Sequence, residues 1–373
     1  MNNTSMKAPL SSRPELARFD VYKPGLSVQQ IRRQLGLKKV IKLASNECAI
    51  GPSKKGIAAF KKVADDLFRY PESRSVDLRS ALAERFRRDL GEVIIGAGSD
   101  EIIELLAKAY LSPGDETIVS ASAFLQYRIA TQLMGGRAVA VPLKGWKCDL
   151  DGMAAAVTGR TKLIFIANPN NPTGTYNTTA EVERFLVNLP ERVLPVFDEA
   201  YFEYAAPNED YPSMIEDFFK RRPIVVLRTF SKVYGLAGLR VGYGVAPDWC
   251  VTELDKIRPP FNVSIPAQAA AQAAFGDAPH VRKAVEMNTS EREKMAGELT
   301  KMGFDVVPSA TNFILFNVAP KSGYWVFEQL LRKGIIARAV EEYGLPGFLR
   351  VSVGRPSENK QFLEALREVA SKP

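Results

Sequence analysis

Histidine is nearly absent: His280 is the only one in 373 residues. Beside Pro279, in a polar stretch that starts a helix, it reads as a surface residue rather than a catalytic one. Cysteine is scarce too. Cys48, Cys148 and Cys250 lie far apart with no C-x-x-C spacing, which argues against a zinc site or a disulfide framework and for a reducing cytoplasm. No apolar run approaches a membrane span, and the polar opening MNNTSMKAPLSSRPELARF holds no segment long enough for a signal peptide. The chain therefore reads as soluble and unexported. Internal repeats and low-complexity tracts are missing. So is any concentration of the +8 net charge in one tail or stripe, and without that stripe or a cluster of stacking aromatics nucleic-acid binding is not expected.

What is there is the composition of an ordinary globular protein, 46% hydrophobic and 25% charged, long enough for two or three domains. Strand-like apolar runs alternate with helical patterns, as in α/β chains. The runs are Val93 to Ile95, Thr117 to Ser120, Ala138 to Val141, Leu163 to Ala167, Val193 to Phe197, Ile224 to Thr229 and Val241 to Val245. Several are almost purely apolar, as strands covered on both faces of a sheet must be. Helices are expected at Ser27 to Leu35, Ser75 to Leu90 and Ser99 to Leu111, the last opening with a capping serine and two acids. Further on come an alanine-rich helix over Pro266 to Phe275 and a long amphipathic one from Pro279 to Met302. Short strands at Phe304 to Val307, Phe313 to Phe316 and Leu349 to Val353 complete a small α+β unit. The division expected is an N-terminal arm over 1–20, a large domain over 46–262, and a small domain made of 21–45 with 263–373.

The stretch that the chain is organised around is LRTFSKVYGLAGLRVGY, Leu227 to Tyr243. An apolar run breaks there into small and hydroxylic residues around Lys232. A lysine amine attacks carbonyls, and the Thr229 and Ser231 hydroxyls with nearby glycines suit a phosphorylated aldehyde held close by. Arg240 offers a guanidinium fork to phosphate oxygens. Upstream lie NPNNPTG, with Asn171, and VFDEAYFEY, with Asp198 and Tyr201. Asp198 ends an apolar strand, so its carboxylate belongs at the carboxyl edge of a sheet, where open α/β folds keep ligands. An amide, an acid, a phenol, a lysine and an arginine in this order fit a pyridine aldehyde whose ring nitrogen needs an acid partner. GAGSDE, Gly96 to Glu101, follows a strand and opens a helix, so free amides there point at an anion.

These motifs resemble the fold-type I pyridoxal-phosphate (PLP) aminotransferases of class I/II, and within them the histidinol-phosphate aminotransferase subgroup. VYKPG, IKLASNE, IRPPFNVSIPAQAAA and YGLPGFLRVSVG carry the subgroup likeness, which runs from about Tyr22 to about Arg367. The resemblance implies a large domain with a seven-stranded, mostly parallel sheet and a small α+β domain. It also implies a cofactor phosphate seated by Ser99, the Asp100 backbone, Thr229, Ser231 and Arg240, with Phe124 stacked on the pyridine ring. Asn171 and Tyr201 are then donors to the cofactor's phenolic oxygen, Asp198 is the partner of its ring nitrogen, and Lys232 both carries the cofactor and moves the α-proton. Tyr70, in RYPES, matches a tyrosine that reaches across a homodimer to the neighbour's phosphate.

At the substrate end, Arg350 in FLRVSVG matches an arginine aimed at a carboxylate, and Arg338 and Tyr22 fall on the subgroup's additional arginine and N-terminal tyrosine. The implied reaction moves an amino group between L-histidinol phosphate and 2-oxoglutarate. One departure stands out: the subgroup's NENPLGP reads NECAIGP here, with Cys48 and Ala49 in a loop expected to face substrate. That leaves open an aromatic amino-acid aminotransferase with the same cofactor site. A PLP-sensing transcription regulator is a further reading, but about 20 residues ahead of the enzyme motifs are too few for a helix-turn-helix module.

Overall fold

The computed structural model describes residues 10–19 and 27–371. Tyr22 lies outside them. All seven expected runs pair into one sheet, in the order Val93–Gly96, Gly242–Val245, Val225–Thr229, Leu194–Asp198, Thr161–Ala167, Glu116–Ser120 and Arg137–Val141. Gly242–Val245 runs antiparallel to both neighbours, and the ladders joining the other strands are parallel. Alternation along each strand sends side chains to two apolar cores. Ile94, Val119, Phe165, Val196 and Leu227 pack on one face; Ile95, Ile118, Ile166, Phe197 and Val226 pack on the other. Each such side chain contributes about 1.5–3 kcal/mol by leaving water, and truncating the fully buried Phe197 to Ala is expected to cost about 3–5 kcal/mol.

The direction of the one antiparallel strand decides where the site is built. The parallel strands deliver Gly96, Ser120, Ala167, Asp198 and Thr229 to the sheet's carboxyl edge as they end. Gly242 begins its strand opposite Thr229 and Gly96, so the preceding Arg240 arrives at that same edge.

A second, four-stranded sheet is ordered Asp305–Val307, Phe313–Asn317, Phe348–Ser352 and Arg338–Ala339, all antiparallel. The last strand is a two-residue pairing without an apolar pattern of its own. Ile41–Lys42 pairs in parallel with Ile335–Ile336, tying the start of the chain to this unit. A separate core gathers Leu43, Leu299, Phe316, Leu349 and Phe362. The alanines of helix Ile265–Phe275 instead pack into the larger sheet's core.

Several boundaries differ from expectation for physical reasons. The helix expected over Ser75 to Leu90 spans Val76–Phe86, because Arg87 turns left-handed at φ +52° and its N–H closes on Ala83 O and Glu84 O. Ser99 does not cap its helix: Gly98, at φ +84°, holds the N-cap position and no side chain caps the Ser99–Tyr110 amides. Within the expected N-terminal arm, Pro14–Arg18 forms a 3-10 turn, and Arg13 Nη2 donates to Leu133 O at 2.9 Å. Among the described residues, no helix is long and apolar enough to cross a membrane.

Candidate active site

A cavity of about 380 Å³ opens at the carboxyl edge of the large sheet. Of the residues singled out from sequence, Ser99, Asp100, Phe124, Asn171, Asp198, Tyr201, Thr229, Ser231, Lys232 and Arg240 all line it. They come from five segments of the chain. The sheet's strand order makes them neighbours.

At one end is an anion cradle. Thr229 Oγ1 donates to Ser231 Oγ at 3.0 Å and accepts from the Ser231 amide at 3.1 Å. Arg240 Nη1 donates to Ser231 Oγ at 3.2 Å, and Nη2 pairs with Asp100 Oδ2 at 3.2 Å. The uncapped amides of Ser99 and Asp100 add the positive end of a helix. Two glycines are required here: Gly98 by its left-handed φ of +84°, and Gly242 because a Cβ there would lie 2.6 Å from the Ser99 amide nitrogen. Burial raises the Asp100 carboxyl, and Arg240 opposes that rise.

At the other end Asp198, 5% exposed, accepts from Tyr127 Oη at 2.7 Å and from the Ala200 amide at 3.1 Å. Burial pushes its carboxyl up to about 6, against the pull of the Tyr127 hydrogen bond. The Lys232 amine stands 5.4 Å from the Tyr201 ring centre. Phe124 meets Tyr127 edge-on at 5.7 Å, and Tyr127 stacks flat on Phe165 at 5.0 Å, so the cavity's aromatic wall is backed by two rings.

Asn171 sits in a loop anchored by the Asn168 amide on Asp198 O at 3.0 Å and by the Gly174 amide on Asn170 O at 2.8 Å. Its Oδ1 accepts from Arg350 Nη1. Arg350, 6% exposed, also donates through Nη2 to Ala44 O at 2.9 Å, while its Nε is buried without a partner. Arg338 is the cross-strand partner of Arg350 and is ion-paired to Glu342.

Tyr70 is not brought to this cavity. It is 81% exposed and stacks on Phe261 with ring centroids 4.8 Å apart. His280 is half-buried, its Nε2 3.2 Å from Val233 O. Of the NECAIGP loop, Glu47 lines the cavity, with Ser45 just ahead of it. Cys48 packs instead against the large core, as does Ile50.

Sequence reasoning missed Tyr127 and Asn46. Asn46 is buried and donates through Nδ2 to Tyr201 Oη at 2.9 Å. Nothing local marks the bond that either makes, although an asparagine in a turn-rich stretch tolerates the left-handed φ of +56° found at Asn46.

Comparison with known proteins agrees with this geometry. The family model for aminotransferase class I and II matches residues 38–366. Histidinol-phosphate aminotransferase of Moorella thermoacetica is 44% identical over 93% of this chain and 90% of its own length. Histidinol-phosphate aminotransferase 2 of Carboxydothermus hydrogenoformans is 44% identical over 96% and 98%. Among solved structures, histidinol-phosphate aminotransferase from Sinorhizobium meliloti, in complex with pyridoxal-5'-phosphate, superposes with a TM-score of 0.89 at 29% identity, over 98% of this chain and 99% of that one. Aspartate aminotransferase from Thermus thermophilus with maleate shares the fold at a TM-score of 0.80 and 23% identity, over 92% and 94%. A fold-type I α/β architecture, a matched family model over most of the length and relatives this similar lead to one conclusion: the chain belongs to the aminotransferase class I and II family.

Proposed function

We propose that this protein is a PLP-dependent aminotransferase that exchanges the amino group of L-histidinol phosphate with 2-oxoglutarate, giving imidazole acetol phosphate and L-glutamate, in histidine biosynthesis. The observation that carries the reading is convergence on one cavity of a lysine amine, a buried carboxylate and an anion cradle, with Arg350 behind it bonded to the lining residue Asn171 and Arg338 as its cross-strand partner. The relatives named above carry the substrate assignment.

The donor set fits pyridoxal phosphate. Ser99, the Asp100 amide, Thr229, Ser231 and Arg240 suit its phosphate, Phe124 its flat ring, and Asn171 and Tyr201 its phenolic oxygen. Asp198 is a carboxyl that burial alone drives toward its neutral form, so a protonated ring nitrogen supplies the positive partner that keeps it charged. Lys232 is the amine to hold the aldehyde carbon. When bound, the group supplies an electron sink for the bond broken at the substrate's amine-bearing carbon.

The chain's own residues do the rest. Lys232 would be the base that takes the proton from that carbon and holds it for return. Arg350 fixes the substrate anion, which for the two substrates is a phosphate in one half-reaction and a carboxylate in the other. Arg338, brought beside it by the strand pairing, adds the second cation that a phosphate calls for. Because Cys48 packs against the core rather than lining the cavity, the departure from NENPLGP leaves the cavity wall at Ser45 and Glu47 in place.

The working unit is a homodimer in this reading. Leu67, Phe68, Tyr70 and Phe261 form an exposed apolar group, 61%, 77%, 81% and 43% accessible, and Tyr70 within it reaches the partner's phosphate end. The large domain spans 46–262, with the small one made of 21–45 and 263–373; helix Ile265–Phe275, counted with the small one, rests its alanines on the large core. The test of the whole reading is L-glutamate production by the PLP-loaded enzyme from L-histidinol phosphate and 2-oxoglutarate. No turnover of that pair, with brisk turnover of L-phenylalanine, would replace the donor and leave the cofactor site standing.

A further inference from the structure

Asn46 is 2% exposed, and each of its polar groups has a partner. Its amide N–H donates to Ser352 Oγ at 2.8 Å, and the Ser352 hydroxyl donates back to Asn46 Oδ1 at 2.9 Å. Its carbonyl accepts from Asn312 Nδ2 at 2.9 Å. With Oδ1 turned to Ser352, the other half of the side-chain amide faces Tyr201, and Nδ2 donates to the phenol oxygen at 2.9 Å. Neither Asn46 nor Ser352 lines the cavity; Tyr201 does.

The amide orientation decides what this arrangement does. A serine hydroxyl has one proton, and Ser352 gives it to Asn46 Oδ1. Tyr201 oxygen receives a hydrogen bond from Asn46, so the one proton of the phenol remains for an acceptor inside the cavity. Were the amide reversed, Asn46 would take that proton instead. With Oδ1 on the Ser352 hydroxyl and Nδ2 on the phenol, the donors run in one direction, from Ser352 through Asn46 to Tyr201.

We propose that Asn46 and Ser352 are positioning residues that aim the Tyr201 phenolic proton at the phenolic oxygen of the bound cofactor. This rests on the reading of the cavity as a pyridoxal-phosphate site. Ser352 and Arg350 are two residues apart on the same strand and so point to the same face. One short strand therefore carries the substrate-binding guanidinium and also sets the orientation of a cofactor contact 155 residues away from Asn46 in sequence.

The consequence is measurable. A donor aimed at the phenolic oxygen would draw negative charge from it and weaken its hold on the proton of the nitrogen by which Lys232 is joined to the cofactor. The bound cofactor then loses that proton at a lower pH.

The test is a pH titration of the visible absorption of PLP-loaded enzyme without substrate, in wild type, Tyr201→Phe, Asn46→Gly and Ser352→Ala, and in both double variants with Tyr201→Phe. Glycine suits the left-handed backbone at Asn46, which guards against misfolding. Unfolding temperatures of the cofactor-free proteins report any purely structural damage. The expected result is a midpoint raised by about one pH unit in Tyr201→Phe and by a smaller step in the same direction in Asn46→Gly and Ser352→Ala. In the Tyr201→Phe background neither adds a further shift. Midpoints unmoved in both single variants, or shifts that persist in full without the Tyr201 hydroxyl, overturn the relay while leaving the site intact. A wild type that takes up PLP without any visible band overturns the site itself, and the relay with it.

Discussion

The phenol of Tyr127 donates to Oδ2 of Asp198 at 2.7 Å, deep under the aromatic wall of the cavity, while the Ala200 amide holds Oδ1 at 3.1 Å. The carboxylate is thus clamped at both oxygens before any cofactor arrives. Burial nonetheless moves it from its ordinary 3.8 to about 6. The folded state binds this proton more tightly than the unfolded chain, so the stability it contributes is full below about 4 and is lost as pH rises through about 6, a difference worth about 3 kcal/mol at most. Asp198→Asn is therefore expected to stabilise the cofactor-free protein at pH 7 while destroying transamination. Denaturant unfolding of the two cofactor-free proteins at pH 7 and pH 4 checks this: the gain must be present at the higher pH and shrink at the lower. A loss at pH 7 would contradict it.

Tyr127→Phe keeps the stack on Phe165 and removes only the hydroxyl. Without that hydrogen bond the Asp198 carboxyl rises further and is neutral over more of the neutral range. PLP affinity of the variant is expected to fall by about tenfold near pH 7, with the loss shrinking as pH rises toward 9. Fluorescence titration of cofactor-free protein across that range reads it, and a pH-independent loss would mean that Tyr127 acts by packing alone.

Arg350 grips Asn171 and Ala44 O, yet its Nε has no partner. Arg350→Lys loses the planar fork while keeping charge, and kcat/KM for either substrate is expected to drop by about a hundredfold. Arg338→Ala is expected to raise KM for the phosphorylated donor more than for 2-oxoglutarate. Steady-state kinetics with each substrate varied in turn separates the two, and an equal effect on both would remove Arg338 from phosphate recognition.

Tyr70 lies outside its own chain's cavity, and a shared dimer makes a sharp prediction from that fact. Lys232→Ala and Tyr70→Ala are each expected to be severely impaired, yet a mixed dimer of the two holds one site free of both changes. Dissociating and reassociating an equal mixture should recover activity that neither variant shows. No recovery, with mixed dimers verified by mass, would place the role of Tyr70 within its own subunit.

The large sheet was legible because several of its strands are almost purely apolar runs, and Leu163 to Ala167 admits few other readings. The site residues at the strand ends followed, since Asp198 and Thr229 each close such a run. Arg338–Ala339 escaped because two residues carry no period, and its register beside Arg350 is a tertiary fact. Tyr127 and Asn46 escaped for a similar reason. Their partners, Asp198 and Tyr201, are 71 and 155 residues away, and nothing local marks a hydrogen bond over that distance. The length of the Val76–Phe86 helix was misjudged because Arg87 takes a left-handed conformation that neither glycine nor asparagine announces.

The most direct test of the account is a single-turnover half-reaction. PLP-loaded enzyme is mixed separately with L-histidinol phosphate and with L-phenylalanine, and the visible absorption of the bound cofactor is followed as it converts to the pyridoxamine form. The account predicts rapid conversion by L-histidinol phosphate, slow or none by L-phenylalanine, and none by either in Lys232→Ala. Faster conversion by L-phenylalanine would contradict the assigned donor, and undiminished conversion in Lys232→Ala would contradict the role given to the residue on which the whole site is centred.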